Sequence, residues 1–511
     1  MMKTNICRID ELTVKDSALL DEVVHDLRLF HKSLQNESSI KRYILEFLGE
    51  LRDDLKVIIE SDYVDRDYRD SYYTYFSTKL LRYSRFCVRL SFFDSALPED
   101  VSPGDSDVIS QNFLGFVVLR PLVKCIGRNV ISPRAKKGEA ASALICKTRV
   151  NTTCMGVKLT AEGFPHSSQD GETMTCAQTT IWSLLEYFGN RYVEYVPTLP
   201  SEIKEVLTPF SYERQLPSSG LSFEQISVAL RELGFGTKVY MAPQLPDKPT
   251  KDDLDAFDQA SALFKETLYC YLESGIPLAL CMENKCHGHA VVAIGRRDTP
   301  KSEVINGQTT LESGKICYMW NLANNNIVLI DDNFPCYQVA DYDNPTDNYV
   351  KRGNDSWKGM KISYFIAPLY SKVYMDAGVA IAASKFIAND VINVPEKSAM
   401  RTFLTSSRTY RDYLATNPQL NRDQKEALLS FSFPRFIWIT EISSLSNFQN
   451  NMSEMTIIID ATAGKSIKNI SSVIYILAGS NIHYYDENLK KFISKSVKMP
   501  AMIEAFNGNL K

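Results

Sequence analysis

The chain has 511 residues, 44% of them hydrophobic and 23% charged, with a formal net charge of −4 and a pI near 6.0. That length exceeds one ordinary core and predicts two to four domains, and the near-balanced charge gives no overall nucleic-acid footprint. Eleven cysteines stand singly without a compact spacing framework, which reads as reduced thiols, and neither a signal peptide nor an apolar run of membrane-spanning length is seen, so a cytoplasmic location is expected.

Residues 1–95 read as helical. Leu19, Leu20, Val23, Leu27 and Phe30 form one stripe, and Ile40, Ile44, Phe47, Leu48, Leu51 and Leu55 form another. The next segment interleaves Tyr72, Tyr73, Tyr75, Phe76, Tyr83 and Phe86 with Lys79, Arg82, Arg85 and Arg89. Such a pattern can clamp nucleotides, but packed aromatics beneath snorkelling arginines is the preferred reading. Residues 96–154 form a β-containing connecting region, in which NFLGFVVLRPL and NVISP read as short strands stopped by proline.

The stretch 155–370 opens with a polar loop, after which Ala177, Ile181, Leu184, Leu185 and Phe188 recur on one helical face. A buried helix therefore starts at or next to Cys176. A thiol in a first helical turn meets the positive end of the macrodipole and free backbone N–H groups, both of which favour thiolate. Ser222 and Gln225 then make a capping box before Ile226, Leu230 and Leu233, and residues 251–273 give another helix. PLALCM enters a strand. HGHAVVAIGRR, KICYMWN and NIVLIDDNFP read as three strands of an antiparallel meander, because their connections are too short and polar for crossover helices. Helices before strands is α+β order. Beyond Tyr370, KVYMDAGVAIAASKFIA, SAMRTFLTSSRTYRDYLA and NRDQKEALLSF read as helices, and PRFIWITEI, MTIIIDATAG and SVIYILAG as strands, which makes 371–511 a C-terminal α+β region.

Of only six histidines, His289 stands at the end of an apolar strand behind a glycine, and Asp331 and Asp332 stand at the end of a later strand. A thiol at a helix start, an imidazole and a carboxylate that orients it are the parts of an activated cysteine nucleophile. In this order TCAQTTIWSLLEYFG, GLSFEQISVALRELGF, YLESGIPLALCM, HAVVAIG and VLIDDNFP resemble the papain-like cysteine peptidase superfamily, and most of all its C39-like branch. The resemblance implies a papain-like core, a central helix packed on an antiparallel sheet, over 155–370, with a helical N-terminal extension and an α+β C-terminal extension. It implies Cys176 as nucleophile, His289 as base and Asp332 as orienting acid, with Asp331 as the alternative. Gln169 is then the oxyanion donor, acting with the Cys176 backbone N–H. Gln169 lies seven residues before Cys176, where six is usual in the family, and the glycine-rich, tryptophan-following signature of papain is absent.

The implied activity is a cysteine-nucleophile hydrolase, a peptidase acting on a polypeptide substrate with no cofactor. Deamidation or acyl transfer would use the same residues, and a catalytically silent binding protein of the same fold is the rival. A zinc site from Cys281, Cys286, His287 and His289 is the disfavoured alternative, because CHGH lacks a paired C-x-x-C partner. Arg401, Arg408, Arg411, Glu441 and Asp460 in the C-terminal region are candidates for buried ion pairs or a ligand pocket, with surface salt bridges the simpler expectation.

Overall fold

A computed structural model describes residues 4–14, 16–27, 34–80, 83–212, 214–285, 287–392, 394–464, 470–486 and 488–510; Phe30, Arg82 and Cys286 lie outside the described residues. The chain is α+β, built on three large sheets with helices packed against them. Among the described residues no helix is long and apolar enough to cross a membrane.

The first sheet is antiparallel throughout, in the order Thr4–Arg8, Lys56–Tyr63, Cys87–Phe93, Phe113–Leu119, Ile126–Ile131, Val157–His166, Thr148–Cys154. This corrects the helical reading of residues 1–95. Helices Ala18–Asp26 and Leu34–Gly49 are present, but three of the strands fall in the same stretch. The strand Cys87–Phe93 is buried at every position and Lys56–Tyr63 at five in succession, so neither shows the period-two alternation that marks a half-buried strand. Leu51 and Leu55 are buried beyond the end of the helix, on the way into the second strand. Arg89 lies inside this sheet. Its Nε donates to Glu60 Oε2 at 2.6 Å and its Nη1 to Thr152 Oγ1 at 3.0 Å, with both charged side chains nearly fully buried. Within the aromatic and basic segment Phe76 and Arg89 are thus buried, whereas Tyr73 is exposed.

The second sheet carries the candidate site. Its order is Gln338–Asp341, Asn326–Ile330, Gly288–Arg296, Leu278–Glu283, Lys361–Tyr370, Phe235–Met241, all antiparallel. The short strand Leu144–Ile145 also pairs with the end of Gly288–Arg296. That approach needs Gly295, since a Cβ there would meet the Leu144 carbonyl oxygen at 2.1 Å. The helix Cys176–Arg191 packs on this sheet, and every residue from Ala177 to Phe188 is buried. Burying Ile181, Leu184, Leu185 and Phe188 contributes about 1.5–3 kcal/mol each, which anchors the helix and with it the position of its first residue.

The third sheet runs Gln308–Thr310, Ile316–Met319, Ser398–Ser406, Phe436–Ser443, Met455–Asp460, Val473–Ala478, Asn481–Asp486, Lys491–Ser496. Two expectations are corrected here. Ile316–Met319 does not join the site-bearing sheet as the middle strand of a meander; it pairs in parallel with Ser398–Ser406, and Val292 pairs directly with Ile330. SAMRTFLTS is a strand, with the helix beginning only at Ser407. Eight successive buried residues in that strand hide its period. The helix Lys251–Glu273 contacts both the second and third sheets.

Candidate active site

Cys176 is the first residue of its helix, and Thr175 is the N-cap in a capping box with Gln178. The approach to it is shaped by Asp170, whose Oδ1 accepts the backbone N–H groups of Glu172, Thr173 and Met174 at 2.7–2.9 Å. This side-chain scaffold satisfies a tight loop that would otherwise leave its amides unpaired. From the N-terminal region, Tyr75 and Lys79 each donate to Glu172 Oε2 at 2.6 Å and brace the same loop. The thiol is half-buried and open to a cleft.

His289 sits near the start of its strand and is 5% exposed. Its Nε2 lies 3.0 Å from Asp331 Oδ1 and 3.9 Å from Asp332 Oδ1. The residue holding the imidazole is therefore Asp331, which corrects the choice of Asp332. The strand Asn326–Ile330 ends one residue too early for alternation to orient the pair. Asp331 and Asp332 belong to the turn after it, where Asp331 Oδ1 also accepts the Asn333 backbone N–H at 3.0 Å. Tyr349 completes the arrangement: its hydroxyl lies 2.9 and 2.8 Å from the two Asp331 oxygens and 3.2 Å from His289 Nε2. With Nε2 so engaged, Nδ1 is the ring nitrogen left for another partner, and the Cys176 side chain is among the groups that raise the imidazole pKa.

Burial alone would lower the His289 pKa. The Asp331 charge and hydrogen bond, the Cys176 side chain and the Asp332 charge outweigh it and hold the pKa well above the ordinary imidazole value. Asp331 is pulled down against its own burial by the His289 charge and by hydrogen bonds from His289, Asn333 and Tyr349. Asp332 goes the other way. Burial, with the Asp331 charge added to it, raises its carboxyl to about 7 against the opposing charges of His289 and Lys124. Both Asp332 oxygens are buried with no hydrogen-bond partner among the described residues.

These groups line a cleft of about 480 Å³ that Cys176, His289, Gln169 and Asp332 all reach, walled by Phe334, Tyr349 and Trp357. Trp357 stacks on Tyr349 at 3.9 Å between centroids and meets the His289 ring edge-on at 5.1 Å. Gln169 Nε2 donates to Asn333 Oδ1 at 2.8 Å, which places the side-chain amide in the same cleft as the thiol. Sequence reasoning missed Tyr349 and Trp357. They lie on the short helix Asp347–Lys351 and the turn Asp355–Trp357, which carry no periodic signal.

As for metal ligands, His289, Asp331 and Asp332 offer donor atoms within 4.8 Å of one another. His289 and Asp331 are already bonded to each other and to Tyr349, which leaves Asp332 as the uncommitted ligand. Of the zinc ligands weighed from sequence, Cys281 is half-buried and His287 is exposed, its ring stacked on Trp357 at 5.6 Å. No protein-family model matches the chain, and no curated protein matches it.

Proposed function

We propose that the chain is a cysteine-nucleophile hydrolase of papain-like architecture, acting on amide bonds of a polypeptide through a thioester. The observation that carries this reading is a half-buried thiol at a helix start that shares one open cleft with an imidazole, whose Nε2 is held by a buried carboxylate behind it.

In the proposed reaction the Cys176 proton passes to His289 Nδ1, and the thiolate attacks the amide carbon. The oxyanion is met by the Cys176 backbone N–H and by the Gln169 side-chain amide, which has a second hydrogen beyond the one given to Asn333. His289 returns the proton to the leaving nitrogen, and the C–N bond breaks to give a thioester. Water, deprotonated by His289, then attacks the thioester, and the acid product leaves as the thiol is restored. Asp331 and Tyr349 keep the imidazole in one tautomer and orientation throughout. The ten described cysteines are all free thiols, which supports work in a reducing compartment.

The test is labelling with a thiol-directed electrophilic peptide probe, with the adduct located by mass spectrometry across pH. Selective modification of Cys176 below the pH at which a free thiol reacts, lost in His289→Ala, is the expected result. Labelling no faster than at the half-buried Cys281 would refute a preformed nucleophile and leave the silent binding protein as the reading.

A further inference from the structure

We propose that the junction between the second and third sheets is a binding site for a small phosphate- or carboxylate-bearing anion, separate from the cleft at Cys176. A cavity of about 240 Å³ lies there, lined by Arg296, Lys301, Arg401, Glu273 and Thr299 and closed by the C-terminal segment around Phe506. Its volume is below that of pockets for drug-sized ligands and suits a small ion. The three cations come from separate parts of the chain: Arg296 ends the His289 strand, Lys301 opens the turn Lys301–Gly307, and Arg401 lies in Ser398–Ser406.

The carboxylates nearby do not use up these donors. Glu273 Oε1 accepts from Arg296 Nε and from Trp320 Nε1. Glu441 Oε1 accepts the Phe506 backbone N–H at 2.7 Å, and its Oε2 stands 3.4 Å from Arg401. Asp298 lines the cavity but is exposed. Two donors are left over. Arg401 is 6% exposed and its Nε is buried with no acceptor among the described residues. The Lys301 ammonium faces the rings of Trp320 at 4.5 Å and Phe448 at 4.6 Å, with no hydrogen-bond acceptor among the described residues.

Three cations stand there against the buried carboxylates of Glu273 and Glu441. Burial, with the charges of Arg401 and Arg296 added, pushes Lys301 down to about 7 against the opposing pull of Glu273 and Glu441. A buried guanidinium with an unused N–H beside an ammonium that faces only aromatic rings is an arrangement that an oxyanion stabilises by accepting the spare donors. Nothing in the proposed hydrolysis uses these residues.

The experiment reads Lys301 directly. The full chain is treated with acetic anhydride at pH 7.5 and constant ionic strength, with inorganic phosphate, pyrophosphate or succinate titrated against chloride, and acetylation is quantified by peptide mass spectrometry. Lys301 is expected to react faster than the exposed Lys248, and at least one of the three anions to protect it saturably by at least about fivefold while Lys248 is unaffected. Phosphate or pyrophosphate protection against succinate protection separates the two ligand chemistries. Calorimetric titration of Lys301→Gln, a half-exposed position chosen because Arg401→Gln would strand Glu441, should show the affinity for the protecting anion reduced by at least about fivefold. Absence of saturable protection by all three anions, equal protection of Lys248, or unchanged affinity in Lys301→Gln would each overturn the proposal.

Discussion

Replacing Asp332 by asparagine removes a carboxyl group that is 4% exposed and has neither oxygen in a hydrogen bond among the described residues. Its pKa is about 7 in the folded chain against an ordinary value of 3.8. The folded state thus holds this proton more tightly than the unfolded state, so stability falls as pH rises from about 4 to about 7 and stays reduced above that. At 1.36 kcal/mol per pH unit the whole effect is at most roughly 4 kcal/mol, of which about 2–3 kcal/mol falls between pH 5 and pH 8. Asparagine has no such dependence. Denaturant unfolding of the wild type and Asp332→Asn at pH 5, 6.5 and 8, compared as a difference at each pH, cancels the titrations common to both. The variant should gain about 2–3 kcal/mol on the wild type between pH 5 and pH 8. A difference that is constant across pH would refute the reasoning, because it would mean that Asp332 is solvated or paired when ionised.

The two neighbouring aspartates should separate in catalysis. Asp331→Ala removes the acceptor for His289 Nε2 and should lower the rate of Cys176 labelling by about 10²–10⁴, whereas Asp332→Asn should change it by less than about tenfold; stopped-flow labelling of both variants checks this. Further along the Cys176 helix, Glu186 is fully buried against Arg66 and has Arg128 Nη2 at 3.7 Å. Glu186→Ala leaves Arg66 and Arg128 with Asp67 as their remaining acid and should cost about 1.5–3 kcal/mol in denaturant unfolding, with Glu186→Gln costing clearly less.

The Cys176 helix was legible because its apolar spacing and the polar loop before it are local signals, and helix starts are set locally. The capping box at Ser222 and the helix Lys251–Glu273 were legible for the same reason. The site became ambiguous where local rules stop. Asp331 and Asp332 lie beyond the last residue of their strand, so which one faces His289 depends on an Asx turn and on Tyr349, eighteen residues past Asp331 in the chain. The strands Lys56–Tyr63, Cys87–Phe93 and Ser398–Ser406 were missed or merged with helices because burial on both faces erases alternation. Which sheet a strand joins is decided by long-range packing, as Ile316–Met319 illustrates: its apolar pattern reads the same beside either neighbour.

That strand bears on how freely this protein's parts can be exchanged. The strand that carries His289 and the strand that leads into Asp331 are neighbours across one ladder, yet the chain linking them leaves for the third sheet, pairs with Ser398–Ser406 and packs Trp320 against Phe448 before it returns. A protein trimmed after Tyr370 would keep every residue of the cleft and still leave this excursion with an unpaired strand edge and a stripped tryptophan, between His289 and Asp331. The C-terminal region is therefore no detachable appendage. A transplant of it into another scaffold, or its replacement here, would have to carry residues 297–325 along.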